Sequence, residues 1–148
     1  AVPVIYDENT YKMEIGKGIK MADGKDVTII ATGITVAMAL EARTLLASEG
    51  IDAAVVNIHT IKPLDRELVI SEAGRTGAIV TAEEHNIIGG LGEAISAVTS
   101  ESNPVPVLRV GIEDAFGRSG KVPALLEKYG LTSAAIAEKA RAAIALKR

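Results

Sequence analysis

Three ionisable side chains stand together near the middle of the chain, at Glu83, Glu84 and His85. A short apolar run precedes them, and glycines follow at positions 89, 90 and 92. This order is typical of a buried strand whose carboxyl end carries polar side chains beside the start of the next helix. Ligands of open parallel sheets bind outside such strand ends. The stretch 79–92 is therefore either a functional edge or the place where this domain meets a partner.

A second histidine, His59, follows the preceding predicted strand. Histidine is a common metal ligand and proton shuttle, and adjacent carboxylates raise its proton affinity. One interpretation is thus a metal or acid–base centre that combines His59, His85 and one carboxylate. However, neighbouring residues of an extended strand point to opposite faces, so Glu83 and Glu84 do not easily serve one centre. The pattern favours a polar strand end that orders loops or contacts another subunit.

Arg118 and Ser119 precede a short predicted helix and form the other candidate site. A helix N-terminus attracts anions through its free backbone N–H groups and its dipole. These two residues could hold an anion, although we favour a plain capping turn. The glycines complete no nucleotide signature, because Ile95 occupies the third position of G-x-G-x-x-G and Ala115 replaces the early glycine of a phosphate loop. The sequence alone contains no complete active site.

Composition limits the class of protein. The chain has 148 residues, which suits one domain, and 48% of them are hydrophobic but only 3% aromatic. The core must therefore come from Ile, Val, Leu and Ala, as in buried parallel strands. The formal charge of −3 argues against general nucleic-acid binding. The sequence contains no cysteine, no signal-peptide pattern and no apolar run of about 20 residues, so we expect a cytoplasmic protein.

Apolar runs that alternate with amphipathic segments predict βαβ units, hence a parallel sheet with helices on both faces. Thr35 and Asp65 are candidate helix N-caps, and Gly50 and Gly74 are candidate helix ends. The predicted strands are a short edge strand at 15–21, then 26–31, 53–58, 77–82 and a sheet-edge strand at 105–110. The predicted helices are 35–49, 65–73, 91–100, 122–128 and a last one from 132 or 133 nearly to the end.

Several ordered motifs carry a family resemblance. They are V-T-I-I-A-T-G (27–33), V-N-I-H-T-I-K-P-L-D (56–65), T-A-E-E-H-N-I-I-G-G-L-G (81–92), G-I-E-D-A-F-G-R-S-G (111–120) and L-L-E-K-Y-G-L-T (125–132). With them the chain resembles the C-terminal domain of transketolase-type, thiamine-diphosphate-dependent enzymes. It is most similar to the C-terminal section of split transketolases. Deoxyxylulose-phosphate synthase and the β subunit of 2-oxoacid dehydrogenases carry similar domains.

The resemblance implies a three-layer α/β/α fold. Its five-stranded, mostly parallel sheet would have an antiparallel first edge strand, with residues 15–21 beside 53–58. Residues 15–148 would form the domain. Residues 1–14, which have no sustained period, would be the connector from a missing upstream pyrimidine-binding domain. Because the chain begins with Ala1 rather than Met, we expect a processed, trimmed or excised piece.

The resemblance also implies a function. The parent enzyme would transfer a two-carbon ketol unit between sugar phosphates, using thiamine diphosphate and Mg²⁺ held by the pyrimidine- and diphosphate-binding domains or subunit. This chain would support a homodimer, bind no cofactor and be inactive alone. The alternative is a module that binds an anionic ligand or regulator. In either case the candidate contact residues are His59, Glu83, Glu84, His85, Arg118 and Ser119.

Overall fold

Five strands form a single mixed sheet in the computed structural model, which describes residues 3–7 and 9–147. The strands are β1 Ile19–Ala22, β2 Val27–Ala31, β3 Ala53–Asn57, β4 Ile79–Asn86 and β5 Val107–Ile112. Their order in the sheet is β1-β3-β2-β4-β5. β1 pairs with β3 in antiparallel fashion, and the other pairings are parallel. The predicted mixed sheet with an antiparallel first edge strand is confirmed.

Helices cover both faces of this sheet. They are α1 Thr35–Ser48, α2 Arg66–Thr76, α3 Leu91–Ser102, α4 Val122–Lys128 and α5 Ser133–Ala145. α1 and α5 pack on one face, and α2 and α3 pack on the other, which gives the predicted three layers. In the part of the chain described here, no helix has both the length and the apolar character needed to cross a membrane.

The central strands explain why the core needs almost no aromatic residues. Every residue of β2 and β3 is buried, and these strands are apolar except for Thr28 and Asn57. Alternate side chains point to opposite faces: Ile29 packs in the α1 and α5 layer, and Ile30 packs in the α2 and α3 layer. Branched aliphatic side chains pack well on such a pleated surface. The sheet therefore holds the strand ends in fixed positions.

Two predicted helix boundaries are wrong. Thr35 does not cap α1, because the preceding residue occupies the N-cap position without a side-chain hydrogen bond. The Thr35 hydroxyl instead lies 2.7 Å from the carbonyl oxygens of Thr32 and Ala82, where it ties the helix start to the strand end. Gly74 does not end α2, which continues to Thr76 and ends at Gly77, whose φ is +68°. Buried Ala73 and Thr76 extend the packed face past Gly74.

The predicted start of α2 and the predicted end of α1 agree with local chemistry, whereas two strands differ in length from the prediction. Asp65 caps α2 by accepting the backbone N–H of Leu68 at 3.2 Å. Gly50 has a φ of +81° just after α1, where a residue without Cβ is favoured. β1 is shorter than predicted, since only residues 19–22 extend beside β3. β4 runs four residues past its predicted end and includes the polar group that drew attention in the sequence.

The described part of the N-terminal segment lies against the sheet. The side-chain amide of Asn57, at the end of β3, donates to the hydroxyl of Tyr6 at 2.9 Å and to that of Tyr11 at 3.4 Å. The two tyrosine rings are 4.1 Å apart between centroids. Burial, reinforced by the neighbouring Tyr11 hydroxyl, raises the pKa of Tyr6. The two tyrosines thus anchor the segment beside the carboxyl end of β3.

Candidate functional site

Glu83, Glu84 and His85 lie at the carboxyl end of β4, beside the carboxyl end of β2. From β2 the chain continues to β3 on one side, whereas β4 lies on the other side of β2. Such a reversal of strand order leaves a crevice where open α/β sheets bind ligands. A shallow pocket of about 290 Å³ lies there, lined by Thr32–Ile34, Ile61, Glu83–His85, Gly89 and Gly90. This pocket lies at the end of the strand whose polar residues the sequence singled out.

Glu83 is the buried member of the group. Its side chain is about 1% exposed, and its carboxylate oxygens accept the backbone N–H groups of Leu91 at 2.7 Å and of Gly92 at 2.9 Å. These amides belong to the first turn of α3, where a helix has unsatisfied donors and a positive dipole end. Glu83 thus supplies from within the chain the anion that this helix N-terminus attracts. The Glu83 carboxylate therefore has a structural role at the start of α3.

The glycines after β4 make room for this contact. A Cβ atom at Gly90 would overlap the Glu83 carboxylate. A Cβ at Gly92 would lie 2.9 Å from the Thr81 hydroxyl and closer still to the aliphatic part of Arg109. Gly90 and Gly92 therefore reflect close packing between the start of α3 and the sheet, whereas Gly89 has open space around it and a φ of +78°. No nucleotide signature is needed to explain this spacing.

Glu84 and His85 are exposed to solvent. Glu83 contacts the start of α3, whereas Glu84 also lines a pocket beside α4; both residues line the pocket at the ends of β2 and β4. The register between β4 and β5 then shifts between Ala82 and Asn86, which places His85 at an irregular strand end. The His85 Nδ1 atom lies 2.8 Å from the Asn86 carbonyl oxygen and 4.0 Å from Glu83 Oε2. The Asn86 contact requires the proton on Nδ1.

His59 is half-buried and lies apart from the pocket that Glu83 lines. Its Nδ1 atom is 2.8 Å from the Thr60 hydroxyl, and its buried Nε2 atom has no hydrogen-bond partner among the described residues. Within those residues no group of three His, Asp or Glu side chains could hold a metal ion. The structure therefore does not bring His59 and His85 together with a carboxylate as ligands.

Arg118 and Ser119 lie on the exposed loop between β5 and α4. The N-cap of α4 is Lys121, and it makes no side-chain capping bond. The favoured capping turn is therefore wrong. Arg118 lines a second pocket, which it shares with Glu84 but not with either histidine. The candidate residues thus divide among separate places: Arg118 lines one of these two pockets, His85 lines the other, and His59 lines neither.

A buried charge cluster at the opposite end of the sheet was not predicted from the sequence. Glu72 of α2 is fully buried, and it contacts the Lys20 ammonium at 2.9 Å, the Thr28 hydroxyl at 3.1 Å and the Arg75 guanidinium. Burial alone would raise the pKa of Glu72, but the hydrogen bonds from Arg75 and Lys20 outweigh burial and lower it. The only local signal was the spacing of three residues from Glu72 to Arg75, which is common on helix surfaces.

The fold and the site together define a class: a three-layer α/β domain in which a buried glutamate at a strand end caps the following helix. Comparison with known proteins identifies the family. The model of the family described as "Transketolase, C-terminal domain" matches residues 16–136, which is most of the chain. The chain belongs to the transketolase C-terminal domain family. The resemblance seen in the sequence motifs is confirmed.

Individual relatives cover the same region. The chain is 48% identical over 134 residues to a 6-deoxy-6-sulfo-D-fructose transketolase subunit of Clostridium sp. (strain MSTE9), covering 90% of this chain and 42% of the relative. It is 47% identical over 141 residues to a 1-deoxy-D-xylulose-5-phosphate synthase of Heliobacterium modesticaldum, covering 95% of this chain and 22% of the relative. The chain thus spans less than half of either relative.

One solved structure is similar along nearly the whole chain. It is described as a split gene transketolase, inactive beta4 tetramer, and is 50% identical with a TM-score of 0.95. The similarity covers 99% of this chain and 48% of that one. Transketolase of Pichia stipitis, at 24% identity and a TM-score of 0.65, shows the same fold over 88% of this chain.

Proposed function

We propose that this chain is the C-terminal assembly section of a thiamine-diphosphate-dependent transketolase, which transfers a two-carbon ketol unit between sugar phosphates. The match of residues 16–136 to the transketolase C-terminal domain carries this proposal. The site geometry supports it, because the most buried carboxylate of the strand-end group, Glu83, holds α3 in place. The chain then serves the enzyme by packing against its other sections.

The chemistry would be divided between sections of the enzyme. Thiamine diphosphate, when bound, supplies the nucleophilic carbon for ketol transfer. We infer that the pyrimidine- and diphosphate-binding sections hold this cofactor and its Mg²⁺, as the family resemblance implies. The exposed residues Glu84, His85 and Arg118 would contact a neighbouring section or subunit. A homodimer located in the cytoplasm and acting in the pentose phosphate pathway completes the proposal.

Residues 1–14 would connect the domain to the upstream pyrimidine-binding section. The hydrogen bonds from Asn57 to Tyr6 and Tyr11 support this assignment, because they hold the segment against the domain. A connector fixed in this way limits where the preceding section can lie. Residues 15–148 would then form the domain proper.

A second candidate has the same structural role in a different enzyme. The synthase of H. modesticaldum is 47% identical to this chain, and the sulfo-sugar transketolase subunit is 48% identical. Sequence identity therefore does not decide between these two kinds of parent enzyme. The parent enzyme could therefore be a deoxyxylulose-phosphate synthase, or a 2-oxoacid dehydrogenase to which the chain contributes part of the β subunit. Ketose phosphates and pyruvate as alternative donors distinguish a transketolase from these enzymes.

Reconstitution tests the proposal. The purified chain is assayed for ketol transfer with thiamine diphosphate and Mg²⁺, alone and together with the cofactor-binding sections of its own enzyme. We expect no turnover by the chain alone, turnover by the combined sections, and less turnover when this chain is left out. Ketol transfer by the isolated chain would overturn the proposal, and so would full activity of the other sections without it.

A further inference from the structure

The loop after β5 presents an aromatic side chain to solvent. Phe116 is the single phenylalanine of the chain and is 99% exposed. Val122, at the start of α4, is 62% exposed. Isolated apolar residues on a surface are ordinary, but an exposed aromatic beside further apolar surface is typical of an interaction site. We call Phe116, Val122 and the adjoining pocket the Phe116 face.

The exposure of Phe116 is imposed by a fixed backbone. Asp114 has a φ of +41° and donates its N–H to the Ile112 carbonyl oxygen at 3.0 Å. The Asn86 amide donates to the Asp114 carboxylate at 3.2 Å. On the other side of the loop, the Tyr129 hydroxyl donates to the Phe116 carbonyl oxygen at 3.0 Å. These hydrogen bonds hold the loop backbone at Asp114 and at Phe116, and the Phe116 ring is exposed to solvent.

A pocket of about 210 Å³ adjoins the loop, and Phe116 is not among the residues that line it. The lining is mainly aliphatic, with Glu84 and Arg118 as its charged members. The aliphatic lining residues are Ile112, Val122, Leu125, Leu126 and Leu131. An aromatic ring buries a large apolar area and suits such a lining. The Phe116 face therefore combines a projecting ring with a cavity that accepts one.

The charges of the loop change sign across Phe116. Glu113 and Asp114 precede the ring, Arg118 and Lys121 follow it, and all four are exposed. Neither Arg118 nor Lys121 forms an ion pair with any described residue. A twofold axis that runs across this change of sign sets the acidic side of one copy against the basic side of the other. The Phe116 face thus carries the charges of both signs that such a pairing needs.

We propose that two copies of this chain associate through their Phe116 faces, with Phe116 of each copy inserted into the aliphatic pocket of the other. This inference rests on the homodimer of the proposed function and assigns its contact surface. A second copy is the favoured occupant because one face carries both the ring and the pocket, and both signs of charge. The test measures association of the chain, whereas the proposed function is tested by ketol transfer.

Sedimentation velocity over a concentration series tests the ring. We expect the complete chain to dimerise and Phe116→Ala to raise the dimer dissociation constant by about tenfold or more, as expected for a central aromatic contact. Leu146→Ala is the matched control, because Leu146 is 55% exposed and lies outside the Phe116 face, and we expect no change. A monomer at every concentration would overturn the inference. A dimer that Phe116→Ala leaves unchanged would do the same.

A charge exchange tests the twofold arrangement. Glu113→Arg and Arg118→Glu should each weaken self-association, since each sets like charges opposite one another. Equal mixing of the two variants restores both attractive pairs, so we expect a heterodimer that weakens as salt rises. If mixing restores nothing, the twofold arrangement is wrong. If the variants dimerise normally but bind the cofactor sections less tightly, the face belongs to another section and the inference fails.

Discussion

The Glu83 carboxylate accepts the backbone N–H of Leu91 at 2.7 Å, so the end of β4 fixes the start of α3. The same carboxylate accepts the neighbouring N–H of Gly92. A side chain eight residues upstream thus does the work that an N-cap residue usually does. Glu83 is in this way part of the structural framework, whereas its neighbours Glu84 and His85 are exposed and available for contacts.

Glu83→Gln should destabilise the fold. The amide replaces one acceptor oxygen by a donor and removes the negative charge from the start of α3. Hydrogen bonds to charged groups contribute roughly 1.5–3 kcal/mol each, so we expect a loss of about 2–3 kcal/mol in the free energy of unfolding. Urea denaturation measures this loss. Glu84→Gln is the control, because Glu84 is exposed, and we expect a change within about 0.5 kcal/mol. Equal effects at both positions would contradict the capping role.

Gly90→Ala should be costly because its new methyl group meets the Glu83 carboxylate. Forcing an atom into a packed site costs about 1–3 kcal/mol. Gly117→Ala is the control, since no atom lies within 4 Å of a Cβ built there. The penalty of Gly90→Ala should shrink in a Glu83→Ala background, and thermal denaturation of the four chains of this cycle measures the coupling. Strict additivity would show that the two residues do not interact.

Glu72 should make stability depend on acid pH. Its pKa is lower in the folded chain than in the unfolded chain, so the folded state binds fewer protons in this range. The stabilisation is complete above the unfolded-state pKa of about 4.3 and is lost as pH falls through the folded-state pKa. Glu72→Gln should cost about 2–3 kcal/mol at pH 7, less than a fully buried pair, because Lys20 and Arg75 reach solvent.

Urea denaturation between about pH 7 and pH 3 measures this dependence. The loss of stability on acidification should be smaller in Glu72→Gln than in the unaltered chain. Glu67→Gln, on the same helix with a side chain 91% exposed, should leave the acid dependence unchanged. Identical acid dependence in all three chains would contradict the assigned role of Glu72.

Tyr6→Phe should loosen the N-terminal segment. The change removes the 2.9 Å hydrogen bond from Asn57, which contributes about 1 kcal/mol. Local opening should then increase about fivefold, and limited proteolysis within residues 7–14 measures it. Tyr129→Phe, which removes a hydroxyl elsewhere in the fold, should leave this cleavage rate unchanged. An unchanged rate in Tyr6→Phe would show that the segment is not held through this contact.

The fold was predictable where its causes are local in sequence. The apolar runs of β2 and β3 and the cap of Asp65, three residues from its partner Leu68, lie within short windows. The short edge strand was predicted from the sequence, but its antiparallel direction came only from the family resemblance, because pairing direction depends on the path of the whole chain. The predicted end of α2 at Gly74 was wrong because the helix continues to Thr76. Its buried residues Ala73 and Thr76 extend the packed face, and this packing cannot be recognised from the local sequence.

The sequence predicted where the polar candidate residues lie in the fold, but it did not predict which groups they contact. The order of strand, polar group and glycines predicted the polar carboxyl end of β4. The partner of Glu83 depends on the path of the chain between β4 and α3 and could not be predicted in this way. Glu72 interacts with Thr28, 44 residues away, and no sequence pattern joins them. Long-range packing therefore decides which charged groups are structural and which remain exposed.

The measurement that tests the central claim most directly is the turnover number of the reconstituted enzyme carrying His59→Gln, Glu84→Gln and His85→Gln in this chain. Assays use saturating cofactor-binding sections, thiamine diphosphate and Mg²⁺, so that weaker assembly is compensated. If bond-making belongs to the other sections, kcat should stay within about twofold of the unaltered enzyme. A loss of about a hundredfold or more, the range of a missing general acid or base, would contradict the account.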